Sequence, residues 1–272
     1  MKPRLQVLLA RDAPVGVVIR RGPSDWARLS LWQTVSDEVE HGAWFHGRLY
    51  ERRCDISPDG RLFVAFLRKG SPLREDGEAS WLAVSRPPHL SALALWWVGS
   101  TWHGGGVFVE ADRLWTGFGA QAPDQGSAPQ WLHLVDDLPV ADGTREWTER
   151  TVLVNRLHAA GWTRDEAAPV ETWRRPIPSG GQLVRLEHPP DLGRPGGMWH
   201  PEFAVERDDE LHVLDRATWA DVDQSGRVVL TREGTIATWE PGGVTVLVDL
   251  TDQRPEPRQP PEYAKTWPGP PS

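Results

Sequence analysis

Cysteine is almost absent from this chain: Cys54 is the only one in 272 residues. One thiol excludes an intrachain disulfide and gives no sign of an oxidising compartment. Basic charge is also short. Asp and Glu outnumber Lys and Arg 38 to 30, for a formal net charge of -8. A surface built to hold nucleic acid or anionic membrane needs the opposite balance, so neither partner is expected. No stretch approaches the ~20 consecutive apolar residues that span a bilayer. The opening Met1-Lys2-Pro3-Arg4 followed by Leu5–Ala10 is basic then apolar, but Arg11-Asp12 stops the run short of a signal-peptide core. It reads as a first strand, and a cytoplasmic location is the expectation. There is no Walker loop and no Gly-x-Gly-x-x-Gly after a strand, so no nucleotide fold and no cofactor are expected.

Hydrophobic residues make up only 39% of the chain, whereas proline (25) and glycine (26) are plentiful and tryptophan reaches 16. Proline and glycine cut a chain into short strands and turns. Tryptophan in such a chain fills space between sheets, with an N–H that wants a partner. Val15–Arg20, the cluster Trp26, Leu29, Leu31, Trp32, and the run Trp44–Tyr50 all read as strands.

The segment Asp55-Ile56-Ser57-Pro58-Asp59-Gly60-Arg61-Leu62-Phe63-Val64-Ala65-Phe66 says most. Proline presets φ and glycine supplies φ > 0, so Ser-Pro-Asp-Gly between apolar runs is a hairpin. A second copy, Asp221-Val222-Asp223-Gln224-Ser225-Gly226-Arg227-Val228-Val229-Leu230, follows 166 residues later. Asp55 aligns with Asp221, Gly60 with Gly226 and Arg61 with Arg227, and self-similarity of this kind marks repeated sheet units. A weaker repeat sets Trp102-His103 before Asp112 and Leu114, and Trp199-His200 before Asp209 and Leu211. Val107–Trp115, Phe203–Leu214 and Val228–Trp239 each read as strand, polar turn, strand.

These hairpins resemble the blade repeats of WD40-like β-propellers. The chain also resembles a group of uncharacterised bacterial proteins carrying Ser-Pro-Asp-Gly and Trp-His-Gly-Gly-Gly strings. The expected fold is all-β: a small propeller-like stack of about five antiparallel sheets over residues 1–251, with one inserted helix and a proline-rich extended segment at 252–272. Trp147, Val154, Leu157 and Ala160 lie at helical spacing before Gly161, which predicts a helix over Glu146–Ala160. Residues 120–129 and 179–181 read as loops. The resemblance implies ring closure by pairing of the N-terminal strand Leu5–Leu9 with Val244–Leu250.

Asp221-x-Asp223-x-Ser225-Gly226 looks like half a calcium loop, but position twelve is Arg232 where a Glu belongs, so a plain Asp/Ser turn is the better reading. His103 and His200, each after Trp, could hold a metal with a carboxylate, yet no ligand spacing supports it and no metal is expected. Trp102-His103-Gly104-Gly105-Gly106 either lets a ligand approach bare backbone or makes a sharp bulge. Glu51, Arg53 and Asp55 alternate in what reads as an inner strand, which would put them on one face of a polar channel. Cys54 between them reads as a small buried hydrophobe. Candidate ligand-binding residues are therefore Glu51, Arg53, Asp55, Trp102, His103, Gly104, Gly105, Trp199 and His200, and no catalytic residue is assigned. With no catalytic motif present, the reading is a non-catalytic binding or scaffold module for a protein or small ligand. The alternative is a propeller hydrolase of lactonase or glycosidase type.

Overall fold

The computed structural model describes residues 2–22, 25–69, 80–140, 148–188, 201–256 and 258–271. Five sheets follow one another along the chain. The first runs in chain order through Arg4–Leu9, Val15–Arg21, Trp26–Gln33 and Val39–His46. The second gathers Arg48–Leu49 and Asp55–Ile56 on Phe63–Arg68, followed by Ser80–Ser85, Ala94–Trp97 and Gln125–Gly126. The third holds Gly106–Glu110, Arg113–Thr116 and, in parallel, His133–Val135. The fourth spans Thr163–Asp165 to Glu210–Val213, and the fifth spans Trp219–Val222 to Gly243–Asp249.

Alternation sends side chains of each strand to opposite faces, and here both faces are buried. Leu8, Val17, Ile19, Ala27 and Leu29 of the first sheet pack with Ile56, Phe63 and Ala65 of the second. The opposite face, Leu5, Val7, Val18 and Trp32, packs with Trp219, Val229 and Ile236 of the fifth. Another shared core joins the second and third sheets through Val64, Phe66, Phe108 and Leu114, and a fourth joins the fourth and fifth. A sheet with a neighbour on each face explains the near-continuous apolar runs at Leu5–Ala10 and Val15–Ile19. The arrangement is a ring of five blades, a β-propeller.

The seam between third and fourth blades is filled by the helix Thr148–Ala159, which packs on Gly106–Glu110 and gives Leu153, Val154 and Leu157 to the fourth–fifth core. It ends where expected: Gly161 takes φ 84°, and the Trp162 N–H reaches back to the Leu157 carbonyl at 2.9 Å. Residues 146 and 147 lie outside the described residues. The three expected hairpins form, the last turning through Glu233 and Gly234, both at positive φ.

The terminal strands do not pair. Arg4–Leu9 bonds to Val15–Arg21, and Gly243–Asp249 bonds to Thr235–Glu240. Each already belongs to a complete four-stranded sheet, so the first and fifth blades meet face to face across Leu5, Val7, Ile236 and Leu250.

Candidate functional site

The two sequence copies occupy matching places. Asp55 and Asp221 lie in the short strands Asp55–Ile56 and Trp219–Val222, whose side chains reach the centre of the ring. Each is followed by a turn with glycine at positive φ, 76° at Gly60 and 81° at Gly226. In the first turn the Ser57 hydroxyl accepts the N–H groups of Arg61 and Leu62 at 3.1 and 2.9 Å. In the second, Asp223 takes over that task, accepting from the N–H groups of Ser225 and Arg227, both at 2.9 Å. Both carboxylates of the half calcium loop have partners within the chain: Asp223 its own turn and the Arg227 guanidinium, Asp221 the Trp162 N–H and Arg175.

At the centre is a cavity of about 50 Å³, lined by Arg11, Asp55, Arg156, Arg185, Trp219 and Asp221 among others. Asp55 is only 8% exposed and accepts the Phe108 N–H at 2.9 Å, with Arg156 Nε 3.9 Å from its other oxygen. Burial pushes its carboxyl up to about 6, against the pull of Arg156, the Phe108 N–H and Arg11. Arg156 donates to the carbonyls of Glu51 and Cys54 at 3.1 and 2.8 Å, and Arg11 donates to those of Phe108 and Val109 at 3.1 and 2.9 Å. Positive side chains from the helix and the first blade therefore tie the ring together across its middle.

A chain of ion pairs leads from this centre to the face of the ring where the helix begins. Arg185 pairs with Glu187, Glu187 with Arg52 at 3.3 Å, and Arg52 with Glu149 at 2.9 Å. Burial works against a charge on Glu187, yet Arg185 and Arg52 outweigh it and hold the carboxyl below its usual range.

Glu51, Arg53 and Asp55 do not share a strand face. Glu51–Arg53 form one turn of 3₁₀ helix, which breaks the two-residue alternation. Glu51 pairs with Arg21 at 3.0 Å, whereas Arg53 sits over Tyr50 and Phe66 and donates to the carbonyls of Thr101 and His103 at 2.8 and 3.3 Å. Arg53 thereby braces the Trp102-His103 loop from beneath. Trp102 is 73% exposed and His103 is exposed beside it.

Gly104, Gly105 and Gly106 are buried. A Cβ on Gly104, at φ 96°, would stand 2.6 Å from the Phe66 ring, and one on Gly106 would stand 2.7 Å from Val64. The glycines let the loop lie flat on the second blade. Arg53, Trp102, His103, Gly104 and Gly105 gather around one loop, whereas Glu51 is turned to Arg21 of the first blade and Asp55 lies in the channel. Trp199 and His200 lie outside the described residues. Among the described residues, no group of three or more His, Cys, Asp or Glu stands close enough to hold a metal. Cys54 is buried, donates to the Tyr50 carbonyl at 3.1 Å, and its thiol is pushed up to about 12 by burial.

Sequence reasoning missed Arg11, Arg156, Arg185 and Asp221 as centre residues. The Asp55–Asp221 alignment was the available signal for the last of these. The three arginines come from a turn, a helix and a fourth-blade strand that share no pattern.

Asp55 sets a pH dependence. Its folded carboxyl lies about two units above its ordinary value of 3.8, so the folded state binds the proton more tightly. Stability from this group is lost as pH rises from about 4 to about 6, by up to ~3 kcal/mol at 1.36 kcal/mol per unit. Urea unfolding of the native chain and of Asp55→Asn at pH 4.5 and 7.5 is expected to show the native chain gaining on the variant at the lower pH. A gap that does not change with pH would refute the shift.

No protein-family model matches the chain, and no curated protein does. Two solved structures are distantly similar. An uncharacterised protein of Listeria monocytogenes EGD-e shares 10% identity over 93% of this chain and 85% of its own, with a TM-score of 0.32. The β-propeller domain of the Trilobed protease from Pyrococcus furiosus shares 10% over 90% and 85%, with a TM-score of 0.28. Likenesses this slight say nothing of activity.

Proposed function

We propose that this five-bladed ring is a non-catalytic recognition module that engages a protein partner through the face carrying the Trp102-His103 loop. The carrying observation is the contrast between a filled centre and a braced aromatic at the face. Pockets for small molecules run to ~300–1,000 Å³, and the central cavity of about 50 Å³ is far below that. The centre's charged groups are engaged with one another and with backbone carbonyls. Trp102, by contrast, presents a large rigid ring to solvent from a loop pinned by Arg53 and Phe66. A pinned loop backbone cuts the ordering cost of binding, and a large exposed aromatic on it is the kind of side chain that anchors interfaces.

No helix among the described residues is long and apolar enough to cross a membrane. The acidic charge of -8 disfavours nucleic acid as the partner.

The test is a comparison of the native chain with Trp102→Ala. Cross-linking and quantitative mass spectrometry in source cells would identify the partner, and titration with the purified partner would follow. Trp102→Ala is expected to weaken binding at least tenfold while unfolding free energy stays within ~0.5 kcal/mol, as for a surface substitution. A panel of chromogenic lactones and glycosides is expected to give no turnover. Turnover abolished by Asp55→Asn would overturn this reading in favour of the hydrolase.

A further inference from the structure

We propose that the rim of the first three blades is a docking groove for the chain's own proline-rich segment, residues 253–256 and 258–271, and that this segment is a clasp that ties the end of the fifth blade across the first, second and third. The first and fifth blades share a core but no strand, because neither terminal strand crosses into the other's sheet. The segment supplies the crossing instead.

It leaves the fifth blade under Arg20 of the first, whose guanidinium donates to the carbonyls of Leu250, Thr251 and Gln253 at 2.7, 2.9 and 3.3 Å. It then passes the outer strand of the first blade, where the Tyr263 hydroxyl donates to Glu40 at 3.3 Å. At the second blade, His89 Nε2 lies 3.1 Å from the same hydroxyl. There Arg86 donates to the Tyr263 carbonyl at 3.0 Å and stacks on its ring at 5.0 Å. Ala264 is fully buried (0% exposed). Beyond it, Trp267 meets Trp131 edge to face at 6.2 Å, next to the second–third core. Arg61, on the repeat turn of the second blade, donates to the carbonyls of Gly269 and Pro270 at 3.0 and 3.2 Å.

The chemistry of the groove suits this occupant. Within the segment Arg20 reads the Gln253 carbonyl, Arg86 that of Tyr263 in the 3₁₀ turn Glu262–Lys265, and Arg61 those of Gly269 and Pro270; on either side of that turn proline, which cannot donate and favours an extended backbone, leaves carbonyls on display. That preference also lowers the ordering cost of docking.

If the segment is one clasp, its contacts stand or fall together. The experiment compares the full-length chain with Arg86→Ala and with Trp267→Ala by hydrogen exchange and thermal unfolding. Each substitution is expected to speed exchange at least tenfold along the whole of 258–271, including the end it does not touch. Each is also expected to speed exchange in the first blade's outer strand, 39–46, and to lower the melting temperature by several degrees. Faster exchange confined to the residues beside each substitution, with 39–46 unchanged, would overturn the proposal and leave a set of independent surface contacts.

Discussion

Arg156→Ala unfolds with about 3–5 kcal/mol less resistance than the native chain at neutral pH, the usual cost of removing one partner from a buried charge pair. Three groups lose their partner at once. The carbonyls of Glu51 and Cys54, on the link between two strands of the second blade, lose their donor, and the Asp55 carboxylate loses its nearest positive charge. The sign of the pH dependence follows. Burial of Asp55 remains while the attraction that opposed it is gone, so its carboxyl titrates higher still in the variant. The penalty is therefore largest above pH 7 and shrinks as Asp55 is protonated. Urea unfolding at pH 7.5 and pH 5 measures this, and the gap to the native chain narrows at the lower pH. A gap that widens on acidification would show that Asp55 is not the group left stranded.

Phe66→Ala carries a loss of about 3–5 kcal/mol, typical of a fully buried aromatic cut to a methyl. Its ring is 0% exposed, packs at 5.0 Å from Tyr50 and 5.3 Å from Arg53, and lies directly under Gly104. The substitution therefore removes the floor of the Trp102 loop as well as part of a core. Hydrogen exchange across 98–105 rises, and partner binding weakens although Phe66 is buried away from the face. Trp102→Ala weakens binding with stability intact, so the two variants separate the anchor from its support. Unchanged exchange at 98–105 would mean that the loop holds its shape without Phe66.

What could be read from sequence was local. The repeat turns were legible because a Ser-Pro-Asp-Gly string encodes its geometry within a few residues, and Gly161 marked the helix end for the same reason. The all-β ring with one helix followed from such hairpins. The 3₁₀ turn at Glu51–Arg53 was not legible, since its charges alternate as a strand's would and only Arg21, Glu149 and the Thr101 carbonyl pull them out of line. Nor was the helix's place. Leu153, Val154, Asn155 and Leu157 are all buried, so neighbours crowd it on several sides and no single apolar stripe says where it packs. The closure expected from strand pairing failed because the N-terminal strand meets the fifth blade through its face, against Trp219–Val222 and Val228–Arg232, a contact that leaves no pairing signal.

The way the first and fifth blades meet also sets the order in which the chain can be assembled. The first sheet is complete once residue 46 is made, but one of its faces, with Leu5, Val7, Val18 and Trp32, is covered only by residues from Trp219 onward. At ~5–20 residues per second of synthesis, that apolar face waits on the order of ten seconds or more for its cover. A nascent chain of this design keeps that apolar face without its native cover for most of its own translation.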